Sequence, residues 1–429
     1  MSLKNKVFSL FKDELILHTA IVFVGTSIVG FFNLLYHLIS VRLLTPQDYG
    51  TFNALISLIM LTSMAISPLG TTLTRFFTEY ITKKDFATLT FIFIKLIKRL
   101  LIFAAIIFLF FTVFSALLGK FLNTQAIYII ICGGVIVLSL FSPLVISLLQ
   151  SFQRFKALSF VGILSSLAKL IVGAIFMFLG WRVLGGLSGF LTGPILIFLF
   201  ALFFIPNIFK KEIGYIYNKA SVTSNLVPIY KYFFPVSVAM LSFTLLTNID
   251  VVLVKHFFSP LDAGYYSIAQ MVGKITLFLP SALAIVIFPK STEAYVKNSH
   301  SHKFLYKSLI LASICCGMVS ILCFLFPAFI LNILTAKSNP ASSNLVGLFS
   351  LAMSFYALLW IVINFSLATH NLRFVLPVLL TAILEIIFIY NYHPTLTIVL
   401  YILLIFSVIS FFISLFMVKI ANKKKEPGI

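Results

Sequence analysis

Four ionisable residues stand inside long apolar runs of this chain: Lys169, Lys274, Asp250 and Glu385. Placing such a group at bilayer depth costs roughly 2.5–3.5 kcal/mol on insertion scales, so each one needs a reason. A lysine there is a fixed positive charge, suited to an anion such as a diphosphate crossing a low-dielectric barrier. A carboxyl there suits Na+ through its oxygens, or H+ where desolvation favours its neutral form. Asn248, two residues before Asp250, would add an amide oxygen. The structural alternative is an ion pair that holds helices together, for instance Lys274 with Asp250, or a lysine whose stem snorkels to the interface. Mid-span positions make snorkelling harder for Lys169 and Lys274. Arg42 and Arg75 stand at span ends. There they either anchor the chain to the interface or extend the anion site.

No catalytic constellation accompanies these residues. There is no Gly-rich loop ending in Lys-Ser/Thr, no HExxH and no His/Cys pairing at metal-ligand spacing, so no nucleotide, metal or other cofactor is expected and the chain reads as a non-enzyme. Cys132, Cys315, Cys316 and Cys323 all lie in apolar runs and read as small packing residues.

The elements that must position the four charges follow from composition. Of 429 residues, 61% are hydrophobic and 10% charged, and the mean hydropathy is +1.13. Apolar runs of about twenty residues recur throughout, the signature of membrane-spanning helices. Twelve spans are expected, at 15–40, 50–73, 100–119, 126–149, 158–180, 183–206, 232–255, 264–288, 305–334, 345–368, 374–391 and 395–418. The stretch before the first, with Lys4, Lys6 and Lys12 and no small-residue cleavage site, reads as a retained leader. With the N-terminus inside, twenty-four Lys and Arg fall in inner segments. Arg42, Lys120, Arg182, Lys255 and Lys337 alone fall in outer ones. That bias places both termini in the cytoplasm. It also assigns the net charge of +20 to topology and to anionic lipid headgroups, without nucleic acid as a partner.

A motif occurs twice. Pro46-Gln47-Asp48-Tyr49-Gly50 and Pro260-Leu261-Asp262-Ala263-Gly264 both read Pro-x-Asp-x-Gly, 214 residues apart. The same offset pairs Phe52 with Tyr266, Ser67 with Ser281, Thr78 with Thr292, Glu79 with Glu293 and Lys83 with Lys297. A duplicated half explains this register. The expected architecture is an all-α polytopic membrane protein of about twelve helices in two six-helix lobes, related by a pseudo-twofold along the membrane normal. The lobes are residues 1–206 and 232–429, joined by an amphipathic cytoplasmic linker at 207–231.

The turn from Arg42 to Gly50, with Thr45 before its Pro, resembles that of bacterial polysaccharide-unit flippases of the Wzx type, in the multidrug/oligosaccharidyl-lipid/polysaccharide exporter superfamily. Asn248-Ile249-Asp250, Pro260 to Gly264 with Tyr265-Tyr266, and Leu149-Gln150 with Gln153-Arg154-Phe155 resemble the same family. The resemblance implies two lobes around a central cavity and an undecaprenyl-diphosphate-linked oligosaccharide carried from the inner to the outer leaflet. The related lipid II flippases place a sodium site in the second lobe, with an acid on the seventh helix.

The expected function is therefore a secondary transporter of the bacterial cytoplasmic membrane. It flips a lipid-linked anionic glycan for surface polysaccharide by alternating access, driven by the membrane potential or by an ion gradient with Na+ or H+ as the candidate coupling ion. Lys169, Lys274, Arg75 and Arg42 are the substrate-binding candidates. Asp250, Glu385 and Asn248 are the ion-coupling candidates. Expected partners are the lipid-linked substrate, membrane lipids, and the polysaccharide polymerase with its chain-length machinery. Two alternatives remain: a multidrug exporter of the same superfamily, which would want acids in its cavity, and a membrane enzyme of glycan polymerisation.

Overall fold

The structure is a computed structural model. It describes residues 14–209, 227–277, 301–336, 339–369 and 371–423. The core of the expected linker, the end of the eighth span, the leader, and Ser281, Thr292, Glu293 and Lys297 lie outside these residues. Among the described residues the regular elements are all helices. In order they are α1 (Glu14–Leu43), α2 (Pro46–Ile66), α3 (Pro68–Thr82), α4 (Phe86–Val113), α5 (Ser115–Phe121), α6 (Ala126–Ser139), α7 (Ser142–Ser151) and α8 (Phe155–Phe176). Then come α9 (Arg182–Phe209), α10 (Val227–Phe257), α11 (260–277), α12 (Ser301–Leu325), α13 (Pro327–Thr335), α14 (Pro340–Ala368), α15 (Val375–Asn391) and α16 (Leu396–Lys423).

Among the described residues, nine apolar helical stretches are long enough to cross a bilayer. One of them, Phe155–Phe200, contains the fifth expected span and most of the sixth. The shorter Val375–Asn391 occupies the eleventh position, and α11 opens the eighth. The chain is thus an all-helical, multi-pass membrane protein. Several expected boundaries shift: the ninth span, 305–334, breaks at Phe326–Pro327 into α12 and α13, and the fourth, 126–149, breaks at Leu140–Phe141 into α6 and α7. The third span is not 100–119 but α4, which starts at Phe86 because Asp85 caps it, its side chain accepting from the Thr88 amide at 3.0 Å. Lys95, Lys98 and Arg99 therefore lie on that helix and not in a connection. The second span breaks at Ser67–Pro68 into α2 and α3, because proline removes a backbone donor and starts a new helix well.

The chain divides into two compact units. One comprises Met1–Leu43, Ile66–Lys120 and Gln125–Phe233. In it α8 and α9 form a hairpin turned by the π-helical segment Met177–Trp181, where Gly180 takes φ 87°. Gly185 and Gly189 face α8 so closely that an added Cβ would come 2.5 Å from the Met177 nitrogen and 2.7 Å from the Lys169 carbonyl oxygen. This small-xxx-small spacing lets the two backbones touch. A polar strut joins α3 to α7: Thr74 Oγ1 donates to Gln150 Oε1 at 2.9 Å, and Ser151 Oγ donates to the Thr74 carbonyl at 3.1 Å.

The other unit comprises Leu44–Ala65, Phe121–Thr124 and Phe234–Ile429. It contains both copies of the repeated motif, and the copies fold alike. Thr45 Oγ1 donates to Asp48 Oδ2 at 2.9 Å and accepts from the Asp48 amide at 3.2 Å. Ser259 Oγ donates to Asp262 Oδ2 at 2.7 Å and accepts from the Asp262 amide at 3.1 Å. Each pair closes the first turn of its helix. The two helices cross where the motif glycines meet: a Cβ on Gly50 would lie 2.7 Å from the Gly264 nitrogen, and one on Gly264 would lie 2.2 Å from the Pro46 oxygen. Lys255, expected in an outer connection, is instead buried in the last turn of α10.

Candidate functional site

Lys169 lies on α8, held between α1 and α9. Its ammonium Nζ donates to Asn33 Oδ1 and stands 4.9 Å from the Tyr36 ring centroid and 4.4 Å from that of Phe190. Two ring faces and an amide oxygen thus replace water around the charge. Asn33 is aimed by its own helix, because its Nδ2 donates to the Val29 carbonyl at 2.9 Å. Tyr36 is aimed by α9: its hydroxyl donates to the Gly186 carbonyl, and its ring packs edge-on against Phe190 at 5.6 Å. Gly173 makes room for it, since a Cβ there would come 2.6 Å from Tyr36 Cε2.

In the second unit, Tyr266, Gln270 and Lys274 follow at one-turn intervals along α11 and so share a face. Asp250 on α10 is fully buried and accepts only: the Tyr266 hydroxyl donates to Oδ2 at 2.9 Å, and Gln270 Nε2 lies 3.1 Å from each oxygen. Gln270 Oε1 accepts from Asn53 Nδ2 of α2 at 3.0 Å. Lys274 Nζ donates to Asn248 Oδ1 at 2.8 Å. Asn248 is aimed as Asn33 is, its Nδ2 donating to the Thr244 carbonyl at 3.1 Å and to Thr247 Oγ1 at 2.9 Å. Glu385 on α15 is fully buried and accepts from the Tyr356 hydroxyl at 2.7 Å through Oε2, and among the described residues Oε1 has no partner. Asp250 and Glu385 lie within electrostatic reach of each other.

Several sequence expectations can be placed on this geometry. Lys274 and Asp250 sense each other's charge, but among the described residues the ion pair within 4 Å is Lys83–Glu79. The tie expected between Lys274 and Asp250 is not an ion pair, because Tyr266 and Gln270 occupy the carboxylate and Asn248 occupies the ammonium. The Asn248 oxygen, expected to serve a cation beside Asp250, accepts from Lys274 instead. Arg42, in the last turn of α1, and Arg75, on α3, are both exposed. Sequence reasoning missed Asn33, Tyr36, Phe190, Asn53, Gln270 and Tyr356. A signal existed for Asn33, which precedes Asn248 by 215 residues, one more than the motif offset.

The family model described as polysaccharide biosynthesis protein matches residues 16–295. The chain belongs to that family. Among curated proteins, none matches the sequence significantly. Solved structures share the fold of this family member at low identity. An inward-facing multidrug resistance MATE family transporter of the MOP superfamily is similar at a TM-score of 0.69 and 13% identity, covering 95% of this chain and 100% of its own. Lipid II flippase MurJ, in an inward closed conformation, is similar at 0.68 and 17%, covering 92% of this chain and 87% of its own. A MOP superfamily transporter from Pyrococcus furiosus, whose report describes a binding pocket of reverse polarity, is similar at 0.63 and 13%, covering 95% of each. These likenesses establish the two-lobe fold.

Proposed function

We propose that this protein is a flippase of the cytoplasmic membrane that carries a lipid-linked anionic oligosaccharide from the inner to the outer leaflet by alternating access. The observation that carries the reading is the state of its two membrane-embedded lysines. Lys169 and Lys274 each have their ammonium held by a neutral amide, and among the described residues no carboxylate lies within ion-pair distance. A cation so held keeps its charge for an incoming anion, and in this reading that anion is the diphosphate of a lipid-linked sugar, in keeping with a polysaccharide biosynthesis family. A multidrug exporter of organic cations would be poorly served by such charges. The exposed Arg42 and Arg75 extend the positive path toward the span ends, and both termini lie in the cytoplasm by the positive-inside bias.

Asp250 and Glu385 hold the coupling cation in the same reading. Binding there biases the equilibrium between inward and outward states, because only the state that favours the cation is stabilised. The free Glu385 Oε1 is a ready acceptor for Na+ or a site for H+.

The test is flipping of a lipid-linked oligosaccharide in reconstituted vesicles, together with export in cells. Lys169→Ala and Lys274→Ala are expected to abolish export at near-normal protein level. Cells lacking the protein are expected to accumulate the lipid-linked unit on the inner leaflet. Normal export by both variants would place the anion site elsewhere. New glycosidic bonds made by the purified protein would favour the polymerase reading.

A further inference from the structure

Each unit contains one lysine and one asparagine in the same arrangement, built from different helices. In the first, Asn33 of α1 meets Lys169 of α8; in the second, Asn248 of α10 meets Lys274 of α11. The asparagines are near-equivalents in the repeat, whereas the lysines are not: one sits on the fifth span, the other on the eighth. In both pairs the asparagine ties its Nδ2 to the carbonyl four residues back. That tie fixes which end of the amide faces outward, so the oxygen, and not a second donor, is presented to the ammonium.

An ammonium has three N–H donors. The amide oxygen takes one in each pair, and at Lys169 two aromatic faces shield another side of the charge without accepting a conventional bond. A carboxylate in the asparagine's place would neutralise the lysine. An apolar residue would leave its flexible four-carbon stem unfixed. The amide does neither: it holds the charge in place and leaves it positive.

We propose that Asn33 and Asn248 are positioning residues that hold Lys169 and Lys274 for the phosphate oxygens of the anionic lipid. The inference rests on the reading of these lysines as the anion site.

The test is a double-mutant cycle on the full-length protein in lipid vesicles, with a short-chain polyprenyl diphosphate as probe and the uncharged polyprenol as control. Asn33→Leu keeps the side-chain volume and removes the oxygen. Probe affinity is expected to fall about tenfold, the scale of one hydrogen bond to a charged group. Binding of the polyprenol is expected to stay unchanged. In transport of the lipid-linked oligosaccharide, KM is expected to rise while kcat stays within about twofold, which a merely structural role would not produce. Because Asn33 acts through Lys169, Asn33→Leu added to Lys169→Gln is expected to cost no further affinity. The same cycle at Asn248 and Lys274 reads the second pair independently of whether leucine is tolerated at 33. Weakened binding by Lys169→Gln with unchanged binding by Asn33→Leu would overturn the positioning role alone. Unchanged binding by Lys169→Gln and Lys274→Gln would overturn the anion site, and this inference with it.

Discussion

Replacing Asp250 by Asn separates coupling from scaffolding, and the hydrogen bonds around it set the size of the structural effect. The carboxylate accepts from Tyr266 and from Gln270, and Gln270 in turn accepts from Asn53. An asparagine at 250 satisfies most of this frame, losing only the Gln270 contact on the side where its Nδ2 replaces an oxygen. Its oxygen faces Gln270 Nε2, its Nδ2 faces Tyr266, and the tyrosine hydroxyl rotates to accept. Charge-assisted bonds become neutral ones, a loss of about 1 kcal/mol each, offset by relief from burying a charge. The net destabilisation should be about 1 kcal/mol or less. Gln270→Leu is the contrast. It strips Asp250 of two contacts and leaves the Asn53 amide without its acceptor, so a cost of about 3–5 kcal/mol is expected. The assay is thermal melting of both variants in detergent, followed by flipping in vesicles under an imposed Na+ or H+ gradient. Asp250→Asn should melt close to the parent and flip without responding to the gradient, while Gln270→Leu should melt well below it. Gradient-responsive flipping by Asp250→Asn would refute the coupling role of that carboxylate. A large loss of melting temperature in Asp250→Asn would show that the group serves mainly to hold α10 and α11 together.

One further outcome is expected. Gly264→Val puts branched carbon where even a Cβ would stand 2.2 Å from the Pro46 oxygen. Backbone cannot give way as a side chain does, so overpacking of at least about 1–3 kcal/mol should appear as a lowered melting temperature; a parent-like melt would mean that the helices do not cross there.

The parts of this architecture that were legible in the sequence are those written in single residues. Two Pro-x-Asp-x-Gly motifs announced a duplication, and the structure gives both the same closed first turn. Lys169, Lys274, Asp250 and Glu385 stood out because charge in an apolar run is costly. Their partners did not. Asn33, Gln270 and Tyr356 are neutral, and neutral polar residues are cheap enough in membrane helices to pass unnoticed until packing brings them to a charge. Span limits misled where charge was taken to end a helix. Lys95, Lys98 and Arg99 sit on α4 because a capped helix can run on beyond the bilayer, whereas hydropathy marks only the apolar part. The break at Ser67–Pro68 was visible as a proline but not as a boundary, since spanning helices often carry proline without stopping.

The glycine crossing of the two motif helices has a mechanical consequence. At Gly50 and Gly264 the backbones meet directly, so no side chain of one helix is threaded into a pocket of the other at that point. Within lipid, apolar side chains gain little by leaving the acyl chains, and at this point the junction is held by close van der Waals contact between flat surfaces, with the Asn53–Gln270 hydrogen bond as a polar tie between the same two helices further along. Flat surfaces separate without any rotamer having to change and without leaving a moulded hole behind. The first turns on either side are each closed by their own Thr or Ser and Asp, so they stay folded whether or not the surfaces touch. The helix ends at the crossing therefore keep their shape from their own hydrogen bonds and ask of the contact only that the two backbones fit.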